Sequence, residues 1–157
     1  MSFNRSVSTY VAFMVIAAVA MLGYTSTLAP PPITAWALFS LVLVGFLLEI
    51  SGTRSVQGGV GGSLVFVFHL AIGLVLGGMW GGLAAGVVKA LSQAYQRTNV
   101  IKAIFNTAER VLSVTLTFSV YHWLGGQNPP LFLSPVTPAG PVSFEFALRE
   151  IAIYLAS

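Results

Sequence analysis

The chain has 157 residues, 56% of them hydrophobic and 7% charged, with seven Lys/Arg against four Asp/Glu and a net charge of +3. A soluble domain carries about 25% charged residues, so this composition excludes a water-coated globule, and so small a net charge makes no case for a nucleic-acid partner. The absence of cysteine excludes disulfides, thiolate metal sites and cysteine nucleophiles.

With a mean hydropathy of +0.87, lipid is the expected solvent for most of the surface, and the expected lipid-facing elements are helices. A membrane barrel would need period-two alternation over segments of about ten residues, and that pattern is absent. The first apolar run, Ser8 to Leu28, suits a span of about 20 residues. The alternative is a cleaved signal peptide, with Arg5 as its basic region and Thr27-Leu28-Ala29 as a weak cleavage box. Pro30 directly after that box and the length of the run favour a retained helix, and Pro30–Pro32 then force a turn. The second run, Ile33 to Ile50, is apolar except for Glu49 at its far end. The glycine-rich stretch Ser51 to Ser63 reads as an interfacial link.

From Val60 to Tyr95 the chain is almost continuously apolar. One helix of that length would reach about 50 Å, well beyond a hydrocarbon core of about 30 Å. The expected break is Gly77-Gly78-Met79-Trp80-Gly81-Gly82, giving short spans over 60–77 and 80–96 with Trp80 at the interface. Arg97 to Lys102 is the clearest polar loop. A fifth span follows over Ala103 to Leu124, closing on Tyr121, His122 and Trp123 as an aromatic belt. Gly125 to Pro141 reads as an extended loop outside the bilayer. The last segment, Phe144 to Ser157, starts like a helix, with Ser143 as N-cap and Glu145 in the first turn. Its length of about 21 Å leaves two readings: an interfacial helix, or the start of a truncated sixth span.

With the N-terminus in the cytoplasm, Arg5, Arg54, Lys89, Arg97, Lys102 and Arg110 all fall at or near cytoplasmic ends, and only Arg149 falls near the outside. Such a bias is the positive-inside signal. The expected fold class is therefore all-α: a polytopic transmembrane bundle of five to six helices, N-terminus cytoplasmic, in one domain over 1–157. The expected location is a bacterial cytoplasmic membrane.

Several residues are candidates for more than lipid contact. Gly73, Gly77, Gly81 and Ala85, with Gly78, Gly82 and Gly86 offset by one, form small-xxx-small ladders that let helix backbones approach closely; close packing is preferred over a substrate passage. His69 lies in mid-span. An imidazole at that depth is costly without a partner, so it is hydrogen-bonded to a neighbouring helix, or it holds a pigment, haem or metal, or it responds to pH; the first is preferred, since no second ligand lies at helical spacing and intramembrane polar groups usually find such partners, and no cofactor or metal is therefore expected. His122 reads as an interfacial anchor. Glu109 and Arg110 project about 100° apart and do not pair on one face. With Lys102 and Asn106 they make a polar stripe that could pair with Glu49 or Lys89 on other spans; structural pairing is preferred over transmission of a conformational signal. No phosphate loop, zincin helix, nucleophile elbow or dinucleotide fingerprint occurs, so no enzyme activity is expected.

One stretch resembles a known family. Glu49-Ile-Ser, a glycine-rich link and Ser63-Leu-Val-Phe-Val-Phe-His lead into the glycine-broken helix pair. Lys102-Ala-Ile-Phe-Asn-Thr-Ala-Glu and Ser113-Val-Thr-Leu-Thr-Phe-Ser-Val-Tyr-His-Trp-Leu-Gly-Gly follow. This is similar to the multi-helix membrane region of bacterial signalling proteins that carry cytoplasmic HD-GYP phosphodiesterase or GGDEF cyclase domains, over about half of the chain, Glu49 to Gly126. The resemblance implies a six-helix, sensor-like bundle with both termini inside, coupling a membrane or periplasmic cue to a cytoplasmic output. No HD, GYP or GGDEF segment is present, so no catalytic residue carries over. Two alternatives remain. An accessory subunit of a respiratory or photosynthetic membrane complex would pack through its glycine seams against other transmembrane helices. A small-solute uptake module would need polar groups lining a pocket near the midplane.

Overall fold

The computed structural model describes residues 5–28, 33–54, 61–126 and 153. Among these it is all-α, with α1 (Arg5–Ser26), α2 (Ala35–Arg54), α3 (Gly61–Leu76), α4 (Gly78–Tyr95) and α5 (Val100–Trp123). The expectations for the Gly125–Pro141 loop and for the Phe144–Ser157 segment lie outside the described residues, apart from Gly125, Gly126 and Ile153.

The helix boundaries follow from local chemistry and correct three expectations. The helix α2 runs on through Ser51 to Arg54, residues assigned from sequence to the link. A single Gly52 costs a helix only about 1 kcal/mol, too little to end it. Between α3 and α4 the six-residue glycine turn contracts to one residue: Gly77 alone leaves the helix, at φ 93° and ψ 157°, where only glycine is unstrained. Gly78, Gly81 and Gly82 lie inside α4 and are buried. The third correction is the start of α5, at Val100 rather than Ala103, because Asn99 caps it: its Oδ1 accepts the Ile101 N–H at 3.0 Å.

Two of the helix ends share one closing device. At the end of α4 the Thr98 N–H donates to the Gln93 carbonyl and the Arg97 N–H to that of Ala94. At the end of α5 the Gly126 N–H donates to Tyr121 and the Gly125 N–H to His122. Both are Schellman caps. Gly125 takes the left-handed position at φ 94°, whereas in the first cap Arg97 takes it, at φ 52°.

The helix α4 touches each of the other four, and small residues make this central position feasible. Added Cβ atoms on Gly78, Gly82 and Gly86 would meet Phe118, Thr115 and Val111, so this ladder lies along α5 in antiparallel register. A Cβ on Gly81 would come within 2.7 Å of the Gly73 Cα, so these two glycines form the α3–α4 crossing, backbone against backbone. On one flank α1 packs against α5 and α4, and on the other α2 packs against α3 and α4. The core is narrow: Ala85, Val114, Phe118 and Tyr121 form one cluster, and Ala18, Ala108 and Val111 another. Tyr121, expected in an interfacial belt, is wholly buried, because it shares the inward face of α5 with Val114 and Phe118; His122 and Trp123 are exposed.

Two helices are long and apolar enough to cross a membrane, over Ser6–Ser26 and Ala35–Gly52. They lie on the outside of the molecule: only 6% of the first span's most apolar window and 11% of the second's is buried.

Candidate functional site: a polar cluster between α2, α3, α4 and α5

The polar side chains gather where the helices meet. Glu49 lies about 8 Å and Lys89 about 9 Å from the C-terminal ends of α2 and α4, counting 1.5 Å per residue. The two helices run parallel, so the charges are level, and Lys89 Nζ donates to Glu49 Oε1 at 2.5 Å. Glu49 is buried and Lys89 partly buried, at 7% and 17% side-chain exposure. Among the described residues this is the only ion pair. One turn further along α4, Gln93 is buried and accepts a long hydrogen bond, 3.4 Å, from Asn106 Nδ2 on α5.

His69 sits within the same set of helices at 1% exposure, and neither ring nitrogen finds a hydrogen-bond partner. The imidazole fits because α2 presents Gly45 to it: a Cβ there would stand 3.5 Å from His69 Nε2 and 3.0 Å from Val88 Cγ2. The charges that act on the ring are Arg110, Glu49 and Lys89. The preferred sequence reading, a hydrogen bond to a neighbouring helix, does not appear in this geometry. Among the described residues no three His, Cys, Asp or Glu side chains converge as a metal site would require.

The polar stripe on α5 divides rather than acting as one unit. Arg110 turns inward and places its guanidinium 5.5 Å from the Phe66 ring centre on α3, within cation–π range. Glu109 faces outward and is exposed, and its carboxylate accepts only the Ser113 hydroxyl, at 3.3 Å. The expected pairing of this stripe with Glu49 or Lys89 is not made, because those two residues satisfy each other. Gln93 and Gly45 were missed by sequence reasoning. The spacing Lys89–Gln93, four residues on one helix face, was the available signal for the first; nothing in the sequence singles out Gly45.

Among the apolar grooves that open on the flanks of the bundle, one of about 490 Å³ lies between α1, α4 and α5, lined by residues such as Val15, Leu22, Ala94 and Val111. Another, about 520 Å³, lies between α2 and α3, lined by Leu41, Phe68, Ile72 and Val75 among others. His69 and Glu109 line neither. Comparison with known protein families, with curated protein sequences and with solved structures found nothing that matches this chain.

Proposed function

We propose that this chain is a non-catalytic, multi-pass membrane domain with its N-terminus in the cytoplasm, serving as the sensor or anchor region of a signalling protein with a cytoplasmic output. The observation that carries the membrane part of this reading is the inverted distribution of polarity. Phe13, Ile16, Trp36 and Val67 stand more than half exposed, while Glu49, His69, Gln93 and Thr115 are buried. In water that arrangement loses on both counts, since it leaves apolar area wet and strips polar groups of solvent. In lipid both terms reverse, because the acyl chains accept the apolar faces and polar groups gain by facing one another. A soluble core helix would be mostly buried, and α1 and α2 are not.

The helix directions agree with this reading. Helices α1, α3 and α5 run one way and α2 and α4 the other, so Arg97 and Lys102 share one end of the bundle with the N-terminus of α1. The helices α3 and α4, about 24 and 27 Å long, are short for a 30 Å core, a mismatch that local thinning of the bilayer accommodates at modest cost. The signalling part rests on the resemblance over Glu49 to Gly126. In support of it, Glu49–Lys89 and Asn106–Gln93 tie α2, α4 and α5 together by directional contacts, through which a shift at one helix is felt by the others.

The test is the intact mass of the protein purified from its native membrane. A mass well above 16.6 kDa, with a C-terminal catalytic domain identified by sequencing, supports the reading. A mass near that value removes the signalling part and leaves the accessory-subunit reading, which the outward-facing Glu109 favours.

A further inference from the structure

We infer that the outward face of α5 around Glu109 is the docking surface for a transmembrane helix of another protein, one that carries a lysine or arginine level with Glu109. The inference rests on the multi-pass membrane reading and is independent of whether the assembly signals or respires.

Depth and direction carry it. Glu109 lies nine residues after Val100, about 13 Å along the axis, and α5 as a whole is about 36 Å long. With α5 crossing the bilayer, as the multi-pass reading requires, the carboxylate sits well inside a hydrocarbon core of about 30 Å, too deep for a two-carbon side chain to reach the interface. The inward face of α5 is occupied by Ala108, Val111, Val114, Thr115 and Phe118, which pack on α1, α3 and α4. Glu109 lies opposite, exposed, with Lys102 and Leu116 also exposed one heptad to either side, and with Ser113 half-buried between Glu109 and Leu116.

No cation in the described residues pairs with Glu109: Lys89 is committed to Glu49, Arg110 lies over the Phe66 ring, and Lys102 stands seven residues, about 10 Å, away along the axis. The Ser113 hydroxyl supplies one neutral donor at 3.3 Å, where a carboxylate has room for about four. An acidic side chain facing acyl chains is expensive, and such residues pair with a counter-charge. The chemistry missing at this face is thus a cationic donor at fixed depth. A second copy of this chain does not supply it. Two copies inserted with the same orientation and related by a two-fold axis along the membrane normal bring Glu109 against Glu109, with each Arg110 about 100° round the helix at its Phe66 ring and each Lys102 about 10 Å away along the axis.

The test uses the full chain in its native membrane, with a photo-crosslinking amino acid at Leu116, seven residues from Glu109 on the same face. Cross-linked peptides are identified by tandem mass spectrometry, and a probe at Trp36 on α2 serves as the lipid-facing control. The expected adduct joins Leu116 to a membrane segment of one other protein with a Lys or Arg within a turn of the cross-linked residue. That adduct falls at least tenfold in Glu109→Gln and returns when Glu109→Lys is combined with a Lys/Arg→Glu change in the partner. Adducts to lipid alone, to a second copy of this chain, or in amounts unaffected by Glu109→Gln overturn the inference. Alkaline carbonate extraction of the same membranes separates the two levels: release of the chain into the supernatant would sink the membrane reading itself, whereas retention with lipid-only adducts would sink the docking surface alone.

Discussion

The Glu49–Lys89 pair and the buried His69 differ in how completely they are satisfied, and they respond to substitution in opposite directions. Glu49 and Lys89 neutralise each other in an environment with little water. Removing one partner leaves an uncompensated buried charge, which costs about 3–5 kcal/mol. Lys89→Ala should therefore lower the thermal midpoint in detergent sharply, while the double variant Glu49→Leu with Lys89→Leu should recover most of that loss; a double variant as unstable as the single one would mean the pair has a third partner. His69 is the opposite case. Both ring nitrogens are buried without a hydrogen bond, a defect worth about 1–3 kcal/mol, and His69→Leu removes it while keeping an apolar side chain of comparable size against Gly45. The variant should insert normally and melt at the same or a higher temperature. A lower midpoint together with loss of an absorbing or metal species would show that the imidazole holds a ligand in the native membrane.

At the scale of the helices, apolar run length located the five elements and capping chemistry decided their ends. Runs of hydrophobic residues could be read directly, because a span needs length more than pattern. The ends could not: the Asn99 cap that starts α5 and the left-handed Arg97 that closes α4 are single-residue events inside what reads as one polar loop. The glycine stretch was legible as a break yet not as a packing surface, since Gly77 turns the chain while Gly81 and Gly82 hold helices together, and composition alone does not separate the two roles. Geometry does, and it makes a prediction. A Cβ at residue 81 would meet the Gly73 backbone at 2.7 Å, and backbone cannot rotate away as a side chain can. Gly81→Ala must push α3 and α4 apart, an overpacking cost of about 1–3 kcal/mol. Gly23→Ala, whose Cβ meets nothing within 4 Å, should be neutral or stabilising, because alanine is the better helix former by about 1 kcal/mol. Equal thermal midpoints for the two variants would mean that the α3–α4 crossing is looser than the 2.7 Å contact implies. The same difference between run length and contact explains the site residues: His69 and Glu109 stand out as polar letters in apolar text, whereas the Lys89–Glu49 pairing and the outward turn of Glu109 depend on helix rotation, which so apolar a sequence scarcely encodes.

For the molecule as a whole, orientation is the property that charge controls most directly, and the lack of native cysteine makes it measurable with single introduced thiols. Gln96 and Leu124 are exposed residues just beyond the C-terminal ends of α4 and α5, and the 24 residues of α5 hold them about 36 Å apart. Gln96 stands beside Arg97 and close to Lys102. The described residues at the other end of the bundle, including Thr34, Gly77 and Leu124, carry no Lys or Arg. On the proposed N-inside reading, the positive-inside bias predicts that Gln96 faces the cytoplasm. With a membrane-impermeant maleimide, Leu124→Cys should label in intact spheroplasts and Gln96→Cys only after permeabilisation. Neutralising Arg97 and Lys102 to Gln while adding Leu124→Arg weakens the bias from both sides, and should convert single-sided labelling into a mixture of the two orientations. The reverse labelling pattern in the unaltered charge background would overturn the N-inside assignment. Labelling of both positions from one face would mean that α5 does not cross the bilayer, and the depth assigned to Glu109 would then fall with it.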